Sequence, residues 1–389
     1  MWFFRSPQIV FGEDALLHLA EIKGKRAFVV TDVFIRKSGL LGLVLIQLEH
    51  AGMQIEVFDA VTPEPDATVF ENGADVMEEF QPDWIVAVGG GSVIDAAKGM
   101  WALYENPDLE LNALSPLENI ILRERARLIA IPTTAGTGSE ATYALVLTVP
   151  ATSDTPELKL GLGHPSLTPD IAIVDPRMSA IMPPRLTADT GMDALVQAIE
   201  GYTATWHNEY TDGLCLTAIK LIWEYLPIAY DDGDDLEARE KMANAATLAG
   251  LGYINSMVGA AHSMAHAAGA IFKIPHGRAC GIFLPYVVEF SGAADRPDEV
   301  ETRYFDIVRH LGWAEKDETS ASLRLANELR DLLKRLDMPT RLSECNILPL
   351  KFNNHLPAMV ERAMNDTVLF TSPRQPNEAE LRALFEKAF

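Results

Sequence analysis

The feature that most constrains this chain is a change of periodicity near Pro183. Before it, short β-branched runs alternate with amphipathic segments. Arg26–Asp32 (RAFVVTD), Gln54–Ala60 (QIEVFDA) and Asp83–Val88 (DWIVAV) come first, and Leu128–Pro132, Ala144–Val149 and Ile171–Val174 continue the style. Gly39–Ala51 and Ala67–Phe80 carry helical spacing between the early runs. That alternation predicts a mostly parallel sheet covered by helices. After Pro183 strand-like runs vanish and a 3.6-residue period takes over. It marks Asp189–Tyr202, Thr211–Tyr225 and Leu236–Met257, then Glu301–Leu311, Ser320–Leu336, Leu356–Met364 and Glu378–Phe389. The expectation is an α/β domain over residues 1–182 and an all-helical domain over 183–389.

The net charge of -23, with no clustered Lys/Arg stripe, argues against nucleic acid and anionic membranes as partners. Cys215, Cys280 and Cys345 are far apart and odd in number, so no disulfide framework or CxxC site is implied. The opening MWFFRSPQIVFG lacks the charged and apolar regions of a signal peptide. The longest apolar run, Leu40–Leu48, is well short of the ~20 residues that span a bilayer. A cytoplasmic protein is expected, forming a homodimer or larger homo-oligomer.

Within the helical half, GAAHSMAHAAGAIFKIPHGRACGIFLP (Gly259–Pro285) concentrates His262, His266 and His276. His262 and His266 at i, i+4 would share one helix face. Ile274-Pro275 then breaks the helix, and Pro275 is placed to start another with His276 in its first turn. A bend of that kind returns His276 towards His262. Converging imidazoles suit zinc or ferrous iron; the alternative is three unrelated core histidines.

Two polar loops stand at strand ends. Trp84–Val88 runs into Gly89-Gly90-Gly91-Ser92 before a helix, an arrangement whose backbone N–H groups can hold an anion. Asp95 either joins this site or is a capping-box partner of Ser92. Pro132-Thr133-Thr134-Ala135-Gly136-Thr137-Gly138-Ser139-Glu140 follows the strand Leu128–Ile131, and its hydroxyls can reach ribose or phosphate. Two such loops at strand C-terminal ends favour a dinucleotide over simple helix caps. Asp32 closes the first strong strand, where a carboxylate accepts both ribose hydroxyls of NAD and repels a 2′-phosphate, or caps the next turn.

Together TGMDALVQAIEGY (Thr190–Tyr202), PTTAGTGSE and HSMAHAAGAIFKIPHG closely resemble the iron-containing (group III) alcohol dehydrogenases. That family includes lactaldehyde–propanediol oxidoreductase and the butanol and propanediol dehydrogenases. The resemblance runs from Phe11-Gly12 through GGGS to Ser372-Pro373-Arg374. It implies a dehydroquinate synthase-like fold, NAD bound by the α/β domain, and a divalent metal bound by the helical one. Asp193, His262 and His276 match family metal ligands. His266 matches a histidine near the nicotinamide that is not a ligand. Gln197 stands where the family has its remaining histidine, four residues after the Asp. Either Gln197 coordinates through its amide oxygen or it holds a metal-bound water. Fe2+ is the metal implied. Zn2+ is the alternative, because an Asp/His/His site with an open position also resembles the zinc-dependent glycerol dehydrogenases.

The implied chemistry is hydride transfer between NAD(H) and a small alcohol or aldehyde whose oxygen is polarised by the metal, in a cleft between the domains. Gly89, Gly90, Gly91, Ser92, Asp95, Thr133, Thr134, Thr137 and Asp32 are the expected cofactor residues, with Lys159 beside them. His266 is either a proton relay or packing around the ligands. Lys159 and Arg278 either pair with an anionic tail or sit at the surface. Ile254, Met257, Phe272 and Ile274 suggest a partly apolar substrate. The rivals are a lyase of the dehydroquinate synthase type and a non-catalytic NAD- or metal-binding assembly protein.

Overall fold

The computed structural model describes residues 3–150 and 158–389. The chain divides into two compact units, Met1–Ile181 and Met182–Phe389.

The first unit holds β1 (Gln8–Phe11), β2 (Arg26–Val30), β3 (Gln54–Phe58), β4 (Trp84–Gly89), β5 (Arg127–Pro132), β6 (Ala144–Val149), β7 (Leu158–Gly163) and β8 (Ile171–Val174). Among the described residues, six of them form one parallel sheet in the order β1-β8-β5-β4-β2-β3. Side chains alternate between two cores, as a two-residue period requires. Phe28, Val30, Ile85 and Ala87 enter one, with apolar residues of the helices Ala67–Phe80 and Gly91–Glu105. Ala27, Val29, Val86 and Val88 enter the other, with the helix Leu40–His50. Covered on both faces, β4 is buried along its whole length, which is why WIVAVG reads as a continuous apolar run.

One expected strand falls outside this sheet. Ala144–Val149 pairs antiparallel with β7 as a separate two-stranded ribbon. Its one-sided burial fits that place: Leu145 and Leu147 are buried while Val146 is exposed. From β2 the chain steps outward to β3, returns to β4 on the other side of β2, and continues away to β5. The sheet therefore reverses direction between β2 and β4, the place where open α/β sheets bind ligands.

In the second unit the central helix is Pro184–Thr203, buried on most sides from Thr187 onward. It packs against Glu209–Asp231, Leu236–Ile254 and His276–Ser291. A helix so enclosed is mostly apolar or small, yet this one carries Asp189, Asp193, Gln197 and Glu200 on one face. Ala260–Phe272 stops at Lys273, which adopts the left-handed conformation with φ 57°. Pro275 then caps His276–Ser291, which begins with His276 as predicted. No helix among the described residues is long and apolar enough to cross a membrane.

Candidate active site

At the reversal of the sheet, β4 delivers Gly89-Gly90-Gly91-Ser92 to the N-terminus of Gly91–Glu105. Gly90 is the cap residue and supplies no side-chain hydrogen bond, so the first N–H groups of the helix lack a side-chain cap. The loop after β5 lies directly against it. Thr133 N donates to Gly89 O at 3.0 Å. A Cβ on Gly90 would sit 3.3 Å from Thr134 Cγ2, and one on Gly91 would sit 2.9 Å from Thr137 Cγ2. The two loops lie in contact, and at Gly91 a side chain would overlap Thr137. Gly89, Gly90, Gly91, Thr133, Thr134 and Thr137 are thus brought together.

The other expected cofactor residues have protein partners. Ser92 Oγ donates to Pro63 O at 2.6 Å. Asp95 makes no capping box with it; its Oδ1 accepts from Ser139 Oγ at 2.6 Å and its Oδ2 from Val146 N at 3.0 Å. Lys98, wholly buried beside it, donates to the carbonyls of Ser139 and Ala144. Burial pushes the Lys98 amine down to about 8 against the pull of Asp95 and Glu140, and burial likewise raises Asp95. This pair ties the threonine loop and the β6 ribbon to the helix. Asp32 stands at the end of β2, where its Oδ1 caps Val33–Ser38 by accepting from Ile35 N at 2.9 Å. Lys159 forms an exposed ion pair with Glu64 at 2.6 Å.

In the second unit, Asp193, His262, His276 and Cys280 place one ligand atom each within 4.8 Å of one another. Asp193 Oδ1 lies 3.4 Å from His276 Nε2 and 3.9 Å from His262 Nε2. Gln197, one turn after Asp193, donates from Nε2 to Asp193 Oδ2 at 3.0 Å. Asp193 Oδ1 and Gln197 Oε1 are then buried with no hydrogen-bond partner. A buried acceptor left unpaired costs ~1–3 kcal/mol, more when charged. A cation among these groups removes that cost, and a carboxylate with two imidazoles suits a divalent transition metal. The residues fit the metal. Without a cation, burial pushes Asp193 up to about 6, opposed by the neighbouring His262 and His266.

The approach of the two ligand helices depends on Gly277. A Cβ there would lie 2.0 Å from Asp189 O and 2.9 Å from Asp193 Cβ. Arg278 clamps the same contact: its guanidinium forks onto Asp189, with Nε–Oδ1 3.0 Å and Nη2–Oδ2 2.6 Å. Only 12% of its side chain is exposed. Arg278 therefore neither sits at the surface nor waits for an anionic tail.

Three residues absent from the sequence-based set complete the geometry. Glu200 accepts from Gly259 N at 2.9 Å and Ala261 N at 2.7 Å, capping Ala260–Phe272 from a neighbouring helix. It also accepts from His262 Nδ1 at 2.6 Å, which leaves Nε2 as the ring atom on the Asp193 side. Burial disfavours a charged His262, but Cys280 and Glu200 outweigh it and raise its pKa. Asp366 accepts from His266 Nδ1 at 2.6 Å. Burial raises the Asp366 carboxyl, and His266 more than reverses this. Cys280, one turn after His276, is buried, and burial pushes its thiol up to about 11 against the pull of His262. The spacing 193-197-200 puts Glu200 on the face of Asp193, the one local signal for it. The i, i+4 spacing of His276 and Cys280 puts the thiol on the face of that histidine, the one local signal for it.

His266 stacks on His276 with centroids 5.3 Å apart but lies outside the four-residue cluster. Its side chain is 45% exposed, whereas that of His262 is 5% exposed. Of the expected apolar flank, Ile254 and Ile274 are core residues, and Phe272 packs edge-on to His355.

Comparison with known proteins bears on both units. The description "Iron-containing alcohol dehydrogenase" matches residues 6–176, and "Fe-containing alcohol dehydrogenase family, C-terminal" matches residues 187–389. The NADPH-dependent butanol dehydrogenase of Clostridium saccharobutylicum is 39% identical over 388 residues, covering 99% of this chain and 97% of that one. The alcohol dehydrogenase from Oenococcus oeni superposes with a TM-score of 0.91 at 32% identity, over 100% of both chains. The sulfoacetaldehyde reductase from Bifidobacterium kashiwanohense, solved in complex with NAD+, gives 0.86 at 28% identity, over 100% of this chain and 98% of that one. The chain also matches aldehyde-alcohol dehydrogenases, of which it spans less than half the length.

Proposed function

The chain belongs to the iron-containing alcohol dehydrogenase family, and from that premise we propose that it moves hydride between NAD(H) and a small alcohol or aldehyde, with Asp193, His262 and His276 holding the cation. One observation carries the reading: a buried carboxylate oxygen without a partner, faced by two imidazoles at 3.4 and 3.9 Å. A divalent cation supplies positive charge that eases ionisation of an alcohol hydroxyl and polarises an aldehyde carbonyl.

The remaining work falls to this chain's residues. Glu200 fixes the His262 ring, so Nε2 is presented in one tautomer. Gln197 orients Asp193 through its amide nitrogen and keeps an oxygen to spare. His266 is the proton relay: Asp366 occupies Nδ1, so Nε2 is the atom that takes up or returns the hydroxyl proton. The glycine loop receives the cofactor pyrophosphate on backbone N–H groups, and the threonine loop flanks it. Asp32, at the end of β2, disfavours a 2′-phosphate and so favours NAD over NADP.

The test is NADH oxidation with butanal by protein loaded with Fe2+ without oxygen, repeated with NADPH. Turnover with a higher kcat/KM for NADH is expected. A clear NADPH preference, as the name of the clostridial relative suggests for that protein, overturns the role of Asp32. Metal-loaded protein that turns over neither cofactor with any small aldehyde overturns the reading itself.

A further inference from the structure

Two contacts among the four clustered groups have the spacing of ligands on one ion. Two N or O atoms bonded at ~2.0–2.1 Å to one tetrahedral cation lie about 3.3–3.4 Å apart. A sulfur bonded at ~2.3 Å lies about 3.5 Å from a nitrogen on the same ion. The distance from His276 Nε2 to Asp193 Oδ1 is 3.4 Å, and that from Cys280 Sγ to His276 Nε2 is 3.6 Å. His262 Nε2 stands slightly further out, 3.9 Å from Asp193 Oδ1. The thiol meets the spacing to His276, and its separations from Asp193 and His262 are within 4.8 Å.

We propose that Cys280 Sγ is a ligand of the same cation, making the protein donor set Asp193, His262, His276 and Cys280. This rests on the reading of the cluster as the metal site. One further observation points the same way. Asp193 Oδ1 is buried and without a partner, and a cation between these groups would supply one. Gln197 donates its amide nitrogen to Asp193 Oδ2, so only its Oε1, itself buried without a partner, is left to face the cation beside these four groups. Coordination breaks the Sγ–H bond, releases the proton to solvent and forms a metal–sulfur bond, with no change of oxidation state. One carboxylate and one thiolate then neutralise a divalent ion, and the sulfur biases the site towards iron, zinc or cobalt over magnesium or manganese.

Cobalt(II) tests this without reference to turnover. Protein stripped by chelation and reloaded with Co2+ without oxygen is expected to bind about one ion per chain, with a near-ultraviolet thiolate-to-cobalt charge-transfer band. Cys280→Ser removes the band and shortens cobalt retention against EDTA by at least about tenfold. Cys215→Ser and Cys345→Ser keep both. Should Cys280→Ser not fold, X-ray absorption at the cobalt edge of the wild type still decides, through a sulfur scatterer at ~2.3 Å. Cobalt bound without the band and without sulfur overturns the role of Cys280 and leaves the proposed function standing. Wild type that binds no cobalt, iron or zinc overturns both.

Discussion

The glycine loop of the first unit and the ligand cluster of the second are built on opposite plans. In the first, the property on which the proposed cofactor role relies is the absence of side chains. Gly90 and Gly91 lie against Thr134 and Thr137, and what they present is backbone N–H at a helix start. In the second, side chains from three helices must meet, and the space between the helices is used up. A Cβ at position 277 would overlap Asp189 O at 2.0 Å, whereas one at position 90 would meet only the Thr134 side chain, at 3.3 Å. A site made of backbone is specified by one local stretch and tolerates change around it. A site made of converging side chains depends on the register of whole helices, so distant packing residues govern it.

The strongest way to break this contrast is at the ligands. His262→Ala and His276→Ala should each lose nearly all metal and cut kcat/KM by more than the ~10–100-fold typical of outer partners. His266→Ala should keep most of its metal and slow turnover. Metal analysis after gel filtration reads both, and if His266→Ala strips the metal while His276→Ala does not, the ligand assignment is wrong. Next in size is Glu200→Gln, which weakens the acceptor that holds the His262 ring and caps its helix. We expect a ~10–100-fold loss in metal affinity, and unchanged affinity would confine Glu200 to capping.

Packing gives the third comparison. Gly277→Ala should cost about 1–3 kcal/mol, because the overlapped atom is backbone and cannot swing away. It should also weaken metal binding by pushing the ligand helices apart. Gly90→Ala should leave the urea midpoint nearly unchanged and raise KM for the cofactor. Equal destabilisation by both would erase the distinction drawn between the two sites.

How much of this was legible follows the same divide. The glycine loop and the parallel sheet read directly from strand runs ending in GGGS, because β4 is buried on both faces. β1, an edge strand with none of its four residues buried, and β7, where glycines interrupt LKLGLG, are not among the expected strands. Of the cluster, the resemblance pointed to Asp193, His262 and His276, and Pro275 marked the turn between their helices. Glu200 and Cys280 had the right spacing, but helical spacing says only that two residues share a face. Which face meets which neighbour depends on packing, such as the Gly277 contact and the Arg278–Asp189 clamp. Asp366 lies a hundred residues from His266, and no local signal joins them.

A smaller effect separates the buried charges of the first unit from those of the second. Lys98 has a pKa of about 8 in the fold against an ordinary 10.5. Between those values the unfolded chain holds a proton that the folded chain has released, so stability rises with pH across that window. Compared with Lys98→Met, the urea midpoint of the wild type should climb from pH 8 to 10.5. A difference that stays flat across the window would show that Lys98 is not neutralised by burial.

The finest probe is Gln197. Its amide nitrogen holds Asp193 Oδ2 at 3.0 Å, and its oxygen is buried without a partner. An amide oxygen is a weaker donor to a borderline cation than an imidazole nitrogen. Gln197→His should therefore tighten metal retention under chelation. Gln197→Ala should loosen it by up to about tenfold, since Asp193 loses the donor that orients it. The effect on kcat is smaller and carries no sign in advance, because a better donor holds the ion more firmly while leaving it a weaker Lewis acid. Metal content after matched EDTA dialysis of the three proteins reads the outcome. Equal retention in all three would place residue 197 outside the reach of the cation and leave the site to Asp193, His262, His276 and Cys280 alone.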